Sequence, residues 1–237
     1  ARLSTLLTVI VLLAFAAAVP ASAEVVPAAI VIAVGDSLGP STVSTLNSPF
    51  TDSQGRVGFV GSLADAQRFI WWGDGPVFFS NDAHPDTLTG GEGTMGVSDT
   101  GGFIYSPSFH GFDAVYTHAG KLLAEEDSLP PLPGLYSTFN SRPTMLPDGT
   151  AYWIGGSSAT QGGSSTNRHL FMVRDVSDPS GIVRVLGGGD VIEGKAIKTS
   201  ASNFTYWISD NSEHHIHILD MNVTLNEHVY LDGAFVA

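Results

Sequence analysis

Thr51-Asp52-Ser53-Gln54-Gly55 runs straight into Arg56-Val57-Gly58-Phe59-Val60, a polar turn closing on glycine and then an apolar strand. The same order returns at Ser98-Asp99-Thr100-Gly101-Gly102 before Phe103-Ile104-Tyr105. It returns again at Leu146-Pro147-Asp148-Gly149 before Thr150-Ala151-Tyr152-Trp153-Ile154. Gly55, Gly102 and Gly149 fall 47 residues apart, twice over. A fourth form, lacking the glycine, is Ser202-Asn203 before Phe204-Thr205-Tyr206-Trp207-Ile208. A short polar side chain bonds its own backbone in a turn and glycine supplies φ > 0, so the spacing predicts recurring hairpin turns.

Working outward, a second strand follows each copy: Phe69–Trp72, Ala114–Tyr116, Leu170–Val173 and His215–Leu219. A third ends on an acidic turn, at Val77–Asp82, Lys121–Asp127 and Val183–Asp190; Ala29–Asp36 repeats that ending alone. From Asp36 the steps to Asp82, Asp127 and Asp190 are 46, 45 and 63 residues, the extra length lying in Gly155–Asn167 and Asp175–Gly181 as loop insertions. One small sheet cannot cover both its faces, so similar sheets must stack, and a period of roughly 46–50 residues fits a four-stranded blade. The expectation is an all-β, β-propeller-like array of about four four-stranded blades, with units at 36–81, 82–126, 127–189 and 190–237 of a repeat domain spanning 24–237. A parallel β-helix, with its shorter period, is the alternative fold. Val229–Ala237 reads as a closing strand without its acidic turn. With a first residue other than Met, this predicts a piece of a larger propeller.

Composition agrees with short strands. Of 237 residues 43% are hydrophobic and only 14% charged, whereas Gly (27) and Pro (13) abound. The net charge of −13 repels a phosphate backbone, so no nucleic-acid partner is expected. With no Cys, disulfides, thiolate metal sites and cysteine nucleophiles are excluded. Arg2, the apolar run Leu6–Val19 and Pro20-Ala21-Ser22-Ala23 before Glu24 have the form of a secretory signal-peptide helix over 1–23. A retained anchor or pilin-like helix is the alternative. No other segment could cross a bilayer as a helix, so the mature domain is expected to have no membrane partner and to be secreted or on the cell surface, the periplasm included.

The Asp/Asn-x-x-Gly turn, the Ile-Trp-like strand and the closing Gly-Asp resemble secreted bacterial tandem-repeat proteins named for Asn-x-x-Gly-x-x-x-Phe repeats. Asp52–Phe59 matches best; Asp99–Tyr105 and Asp148–Trp153 are compressed or shifted by a residue, and the fourth copy lacks the Gly. The resemblance covers about residues 29–237. It implies a propeller-like extracellular domain, a C-terminal surface anchor beyond this stretch, and no established activity.

Several motifs could carry chemistry. Gly35-Asp36-Ser37-Leu38 resembles the opening block of the GDSL esterases and lipases, which implies Ser37 as nucleophile. Such a serine needs a His base, and no Asp here has His three residues on. Phe79 stands where the family's second block has Gly, and Asp127-Ser128-Leu129 repeats Asp36-Ser37-Leu38, as a strand-ending turn would. In Glu213-His214-His215-Ile216-His217, His215 and His217 share a strand face, a geometry for two imidazole ligands that His228 or Glu227 could complete. A solvent-facing strand edge explains the cluster equally well. Acidic turns such as Glu125-Glu126-Asp127 could hold Ca²⁺ or simply cap hairpins, and Ser98–Gly102 resembles the structural Asp-box turn of sialidases. Trp71, Trp72, Trp153 and Trp207 read as core, with any exposed one free to stack on a sugar. Asn203-Phe204-Thr205 and Asn222-Val223-Thr224 are glycosylation sequons. The reading reached is a non-enzymatic extracellular scaffold for a macromolecule or glycan, with no catalytic, cofactor or metal residue assigned; the alternative is a GDSL-type esterase using Ser37.

Overall fold

Short alternating runs between glycine turns make strands and little else. A computed structural model of the chain describes residues 29–79, 88–109, 112–139, 143–199, 203–209, 211–223 and 227–236. The segment 1–23, the acidic turn at Asn81-Asp82 and Ser202 of the fourth turn lie outside the described residues. Among the described residues there is no α-helix, and a single 3-10 turn occupies Pro179–Gly181.

Among the described residues, four antiparallel sheets of four or five strands and one two-stranded hairpin follow one another. The first comprises β1 (Ser37–Leu38), β2 (Ser41–Thr51), β3 (Val57–Leu63), β4 (Arg68–Trp72) and β5 (Gly75–Phe79) in spatial order. The second comprises β6 (Leu88–Val97), β7 (Phe103–Phe109), β8 (Phe112–Thr117) and β9 (Leu122–Glu125). In the third, β10 (Leu135–Phe139) and β11 (Thr144–Met145) share one edge of β12 (Ala151–Ser158), followed by β13 (Asn167–Val173) and β14 (Val183–Gly187). A small hairpin, β15 (Val191–Ile192) and β16 (Lys195–Ala196), leads to the fourth: β17 (Phe204–Ile208), β18 (His215–Asp220), β19 (Glu227–Leu231) and β20 (Ala234–Phe235). Apart from β10 and β11, which both pair with β12, sequence neighbours within a sheet are sheet neighbours, the meander that short loops favour.

Period-two alternation then builds the packing. In β7, Phe103 and Tyr105 join Val60 and Ile70 of the first sheet in one core, while Ile104 joins Trp153 and Phe171 of the third in another. In β12, Trp153 faces the second sheet, and Tyr152 and Ile154 pack with Phe204, Tyr206, Leu219 and Tyr230 of the fourth. Each fully buried large side chain contributes about 1.5–3 kcal/mol. In the first three sheets, strands β2, β6 and β10, which pair with β3, β7 and β12, carry no long apolar run that would announce them.

Two of the turn alignments shift. The left-handed residues are Gly55 (φ +76°), Gly101 (φ +87°) and Gly149 (φ +89°), so Gly101 and not Gly102 takes the turn position, the spacings becoming 46 and 48. Each donates its amide three residues back, to the carbonyls of Asp52, Ser98 and Leu146. The acidic endings likewise superpose one residue off. Gly35, Asp127 and Gly189 (φ +95°, +64° and +90°) donate to the carbonyls of Val43, Tyr136 and Ile197, forming a corner at the entry to the first, third and fourth sheets. Asp127 therefore stands in the place of Gly35, and Ser128 in that of Asp36. The other departures are small. Strand β12 runs to Ser158, so the first insertion is shorter than Gly155–Asn167, and the closing strand breaks at Asp232-Gly233 into β19 and β20.

Candidate functional site

Ser37 is exposed within the two-residue strand β1, paired with Thr42, where the esterase resemblance implies a nucleophile on a strand-to-loop elbow. Its neighbour Asp36 accepts the Ala33 amide at 2.8 Å, so the motif's carboxylate is spent on the corner.

The His cluster divides. His215 and His217 do share a face, their rings stacked at 6.1 Å. His214 instead pairs with Asp232 at 2.9 Å; this hydrogen bond raises its pKa and lowers that of the carboxyl. His217 lies buried against the third sheet, and burial, with His215 beside it, pushes its pKa down to about 4. His228 packs on Phe235 at 4.9 Å and Glu227 is exposed. Among the described residues no three His, Cys, Asp or Glu side chains converge on a common point that could hold a metal.

The described acidic turns are occupied by main-chain amides. Asp52 accepts the amides of Gln54 and Arg56 and pairs with the Arg56 guanidinium at 2.6 Å. Asp148 accepts the Thr150 amide, which is hairpin capping, whereas Asp127 accepts the amide of Gly162 in the loop between β12 and β13. A cleft of about 440 Å³ opens beside the second corner between Leu129-Pro130-Pro131, Tyr136 and Pro179–Ile182.

A network absent from the sequence reading sits in the third sheet. Ser157 Oγ lies 3.0 Å from His169 Nε2, Arg184 Nε donates to His169 Nδ1 at 3.0 Å, and Arg184 Nη2 donates to Asp190 at 2.8 Å. Asp190 in turn accepts the Gly187 amide at 2.9 Å. Arginine can only donate, so Nδ1 holds the lone pair and Nε2 the proton. That tautomer donates to the serine, whereas a general base must accept from it. The four residues are separated by 6 to 33 positions and share no motif, so the sequence offers no signal for them.

The tryptophans separate most clearly. Trp71 and Trp153 are buried and Trp72 is half-buried, but Trp207 is 54% exposed. It pairs with Ile216, which pairs with Leu231, which pairs with Ala234, an uncharged row across the whole fourth sheet. The neighbouring row is Thr205, Ile218 and Val229 with Val236 alongside. The corresponding faces of the first three sheets carry Val60, Ile104 and Ile154, each covered by the sheet that follows. No protein-family model and no curated protein sequence matches this chain. Its function has to be argued from the face and the networks themselves. Asn203 and Asn222 are both exposed at the edge of the same sheet.

Proposed function

We propose that the chain is an exported, non-enzymatic scaffold, a β-propeller-like array of about four blades akin to the secreted tandem-repeat proteins it resembles. Its contact surface for a macromolecule or glycan is the outer face of the fourth sheet. The observation that carries this reading is the uncharged row Trp207–Ile216–Leu231, exposed where the three preceding sheets bury their counterparts. A contiguous apolar patch that includes an exposed tryptophan is what a binding surface offers. Export rests on the apolar run behind Arg2. The non-enzymatic reading is supported by Ser37 lying on a strand and by the tautomer of His169, which turns the Ser–His contact the wrong way for nucleophile activation.

The test pairs glycan-array binding of the secreted protein with a p-nitrophenyl ester assay. Binding that Trp207→Ala abolishes while the fold is kept supports the reading. Binding unchanged in Trp207→Ala, or ester turnover that Ser37→Ala removes, overturns it.

A further inference from the structure

We propose that Ser157, His169, Arg184 and Asp190 form an acid-operated latch, holding the corner between the third and fourth sheets closed while His169 is neutral and releasing it when the ring gains a proton. The corner itself is the turn in which Gly189 donates to the Ile197 carbonyl and Ile197 donates to Asp190, both at 2.8 Å. Arg184 holds it from outside, one arm on His169 and one on Asp190.

The hydrogen-bond logic leaves a single vacant position. Nε2–H is committed to Ser157, so a second proton can enter only at Nδ1, where the Arg184 Nε–H already points from 3.0 Å. Two donors cannot share that gap, and two cations would then face each other beside a ring that is 3% exposed. Arg184 must swing out, and its hold on Asp190 goes with it. There is no slack to absorb the change, since a Cβ at Gly187 would come within 2.0 Å of His169 Nδ1. The charged groups facing the ring are Arg184 from β14 and Asp190 from the corner; β12 contributes the neutral Ser157, and Phe171 packs on the ring edge at 6.0 Å. Burial first, then Arg184, pushes the His169 pKa down to about 4, which sets where the latch opens.

The third corner differs from the other described ones in carrying the Arg184–His169 pair. The first closes on the Asp36 carboxylate, which accepts the Ala33 amide as Asp190 accepts that of Gly187, and the second on the Ser128 hydroxyl, which donates to the Glu125 carbonyl. The third is thus wired to an imidazole, and acid loosens it selectively.

Hydrogen exchange of the full chain tests this. After correction for intrinsic rates, protection of the Gly187, Gly189 and Ile197 amides should fall about tenfold or more between about pH 7 and pH 4, with Gly35 and Val43 changing little. In His169→Gln the amide oxygen can accept from Arg184 and the NH₂ can donate to Ser157 without titrating, so the same amides should lose their pH dependence. An equal loss in His169→Gln, an equal loss at the first corner, or no loss in the wild type overturns the proposal. Should His169→Gln fail to fold, the ring ¹⁵N shifts of wild-type His169 decide instead: an Nε2–H tautomer titrating well below an ordinary histidine is expected, and an Nδ1–H tautomer or an ordinary titration overturns it.

Discussion

The main-chain amide of Ser53 donates to the Asp99 carboxylate at 2.8 Å, tying the turn between β2 and β3 to its counterpart 46 residues on. Arg56 reinforces the tie by donating to the Asp99 carbonyl, and its guanidinium lies 5.2 Å from the Trp72 ring, whose indole N–H donates to Gly101. The first two sheets are therefore clasped at their turns as well as glued through their faces. Asp99→Ala removes a charged acceptor at a partly exposed site and should cost about 1–2 kcal/mol. Urea denaturation reads this directly, and an unchanged midpoint would mean that the faces alone hold the first two sheets together.

Gly55 has open space where a Cβ would stand, yet its φ is +76°. Gly55→Val therefore isolates backbone strain from crowding and should cost about 1 kcal/mol or more. Thermal unfolding at the wild-type temperature would count against the left-handed turn.

How much of this was legible depends on which side of each chain segment carries the signal. The turns and central strands announce themselves because Asp, Gly and alternating Phe, Trp and Ile act locally. The error at Gly102 arose because two adjacent glycines satisfy the same pattern, and only the hydrogen bond from Gly101 to Ser98 separates them. Asp127 misled in the same way, since a left-handed Asp can replace the Gly of the corner. The face-sharing of His215 and His217 followed from strand periodicity. By contrast, the His169 network joins β12, β13, β14 and a corner, and no local spacing encodes a meeting of that kind.

Acid should destabilise the fold ahead of carboxylate titration. His169 and His217 are both held neutral by burial, with pKa values pushed down to about 4 against about 6.5 in the unfolded chain. The folded pKa is the lower one, so this stabilisation is whole above about pH 6.5 and drains away as pH falls toward 4, at most about 3 kcal/mol for each ring. His217 Nδ1 also lacks a hydrogen-bond partner. His217→Phe should consequently raise stability at low pH and flatten its slope between about pH 6.5 and pH 4, as measured by denaturant midpoints. A slope identical to wild type would show that His217 titrates normally.

Phe59 stacks on Trp71 with ring centroids 5.4 Å apart and is buried, so Phe59→Ala should cost roughly 3–5 kcal/mol. Gln161, exposed in the loop between β12 and β13, should tolerate Ala within about 0.5 kcal/mol. Similar losses at both positions would contradict the packing assigned to the first sheet.

Trp153 and Trp207 occupy successive units of the same strand pattern but opposite faces, which makes them the sharpest comparison. Trp153 is 1% exposed, stacked on Phe171 at 6.1 Å, and its indole N–H is unpartnered. Trp153→Ala should cost roughly 3–5 kcal/mol. Trp153→Phe should cost far less, because the lost ring area is offset by removing a buried donor that has no acceptor. Trp207→Ala strips a ring from a face already in water and should shift stability by no more than about 1 kcal/mol. Acrylamide should quench Trp207 most readily of the four tryptophans, and quenching should fall once a partner covers the row Trp207–Ile216–Leu231. If Trp207→Ala instead unfolds the chain, that face is a core the scaffold depends on, and the partner-binding reading of it fails.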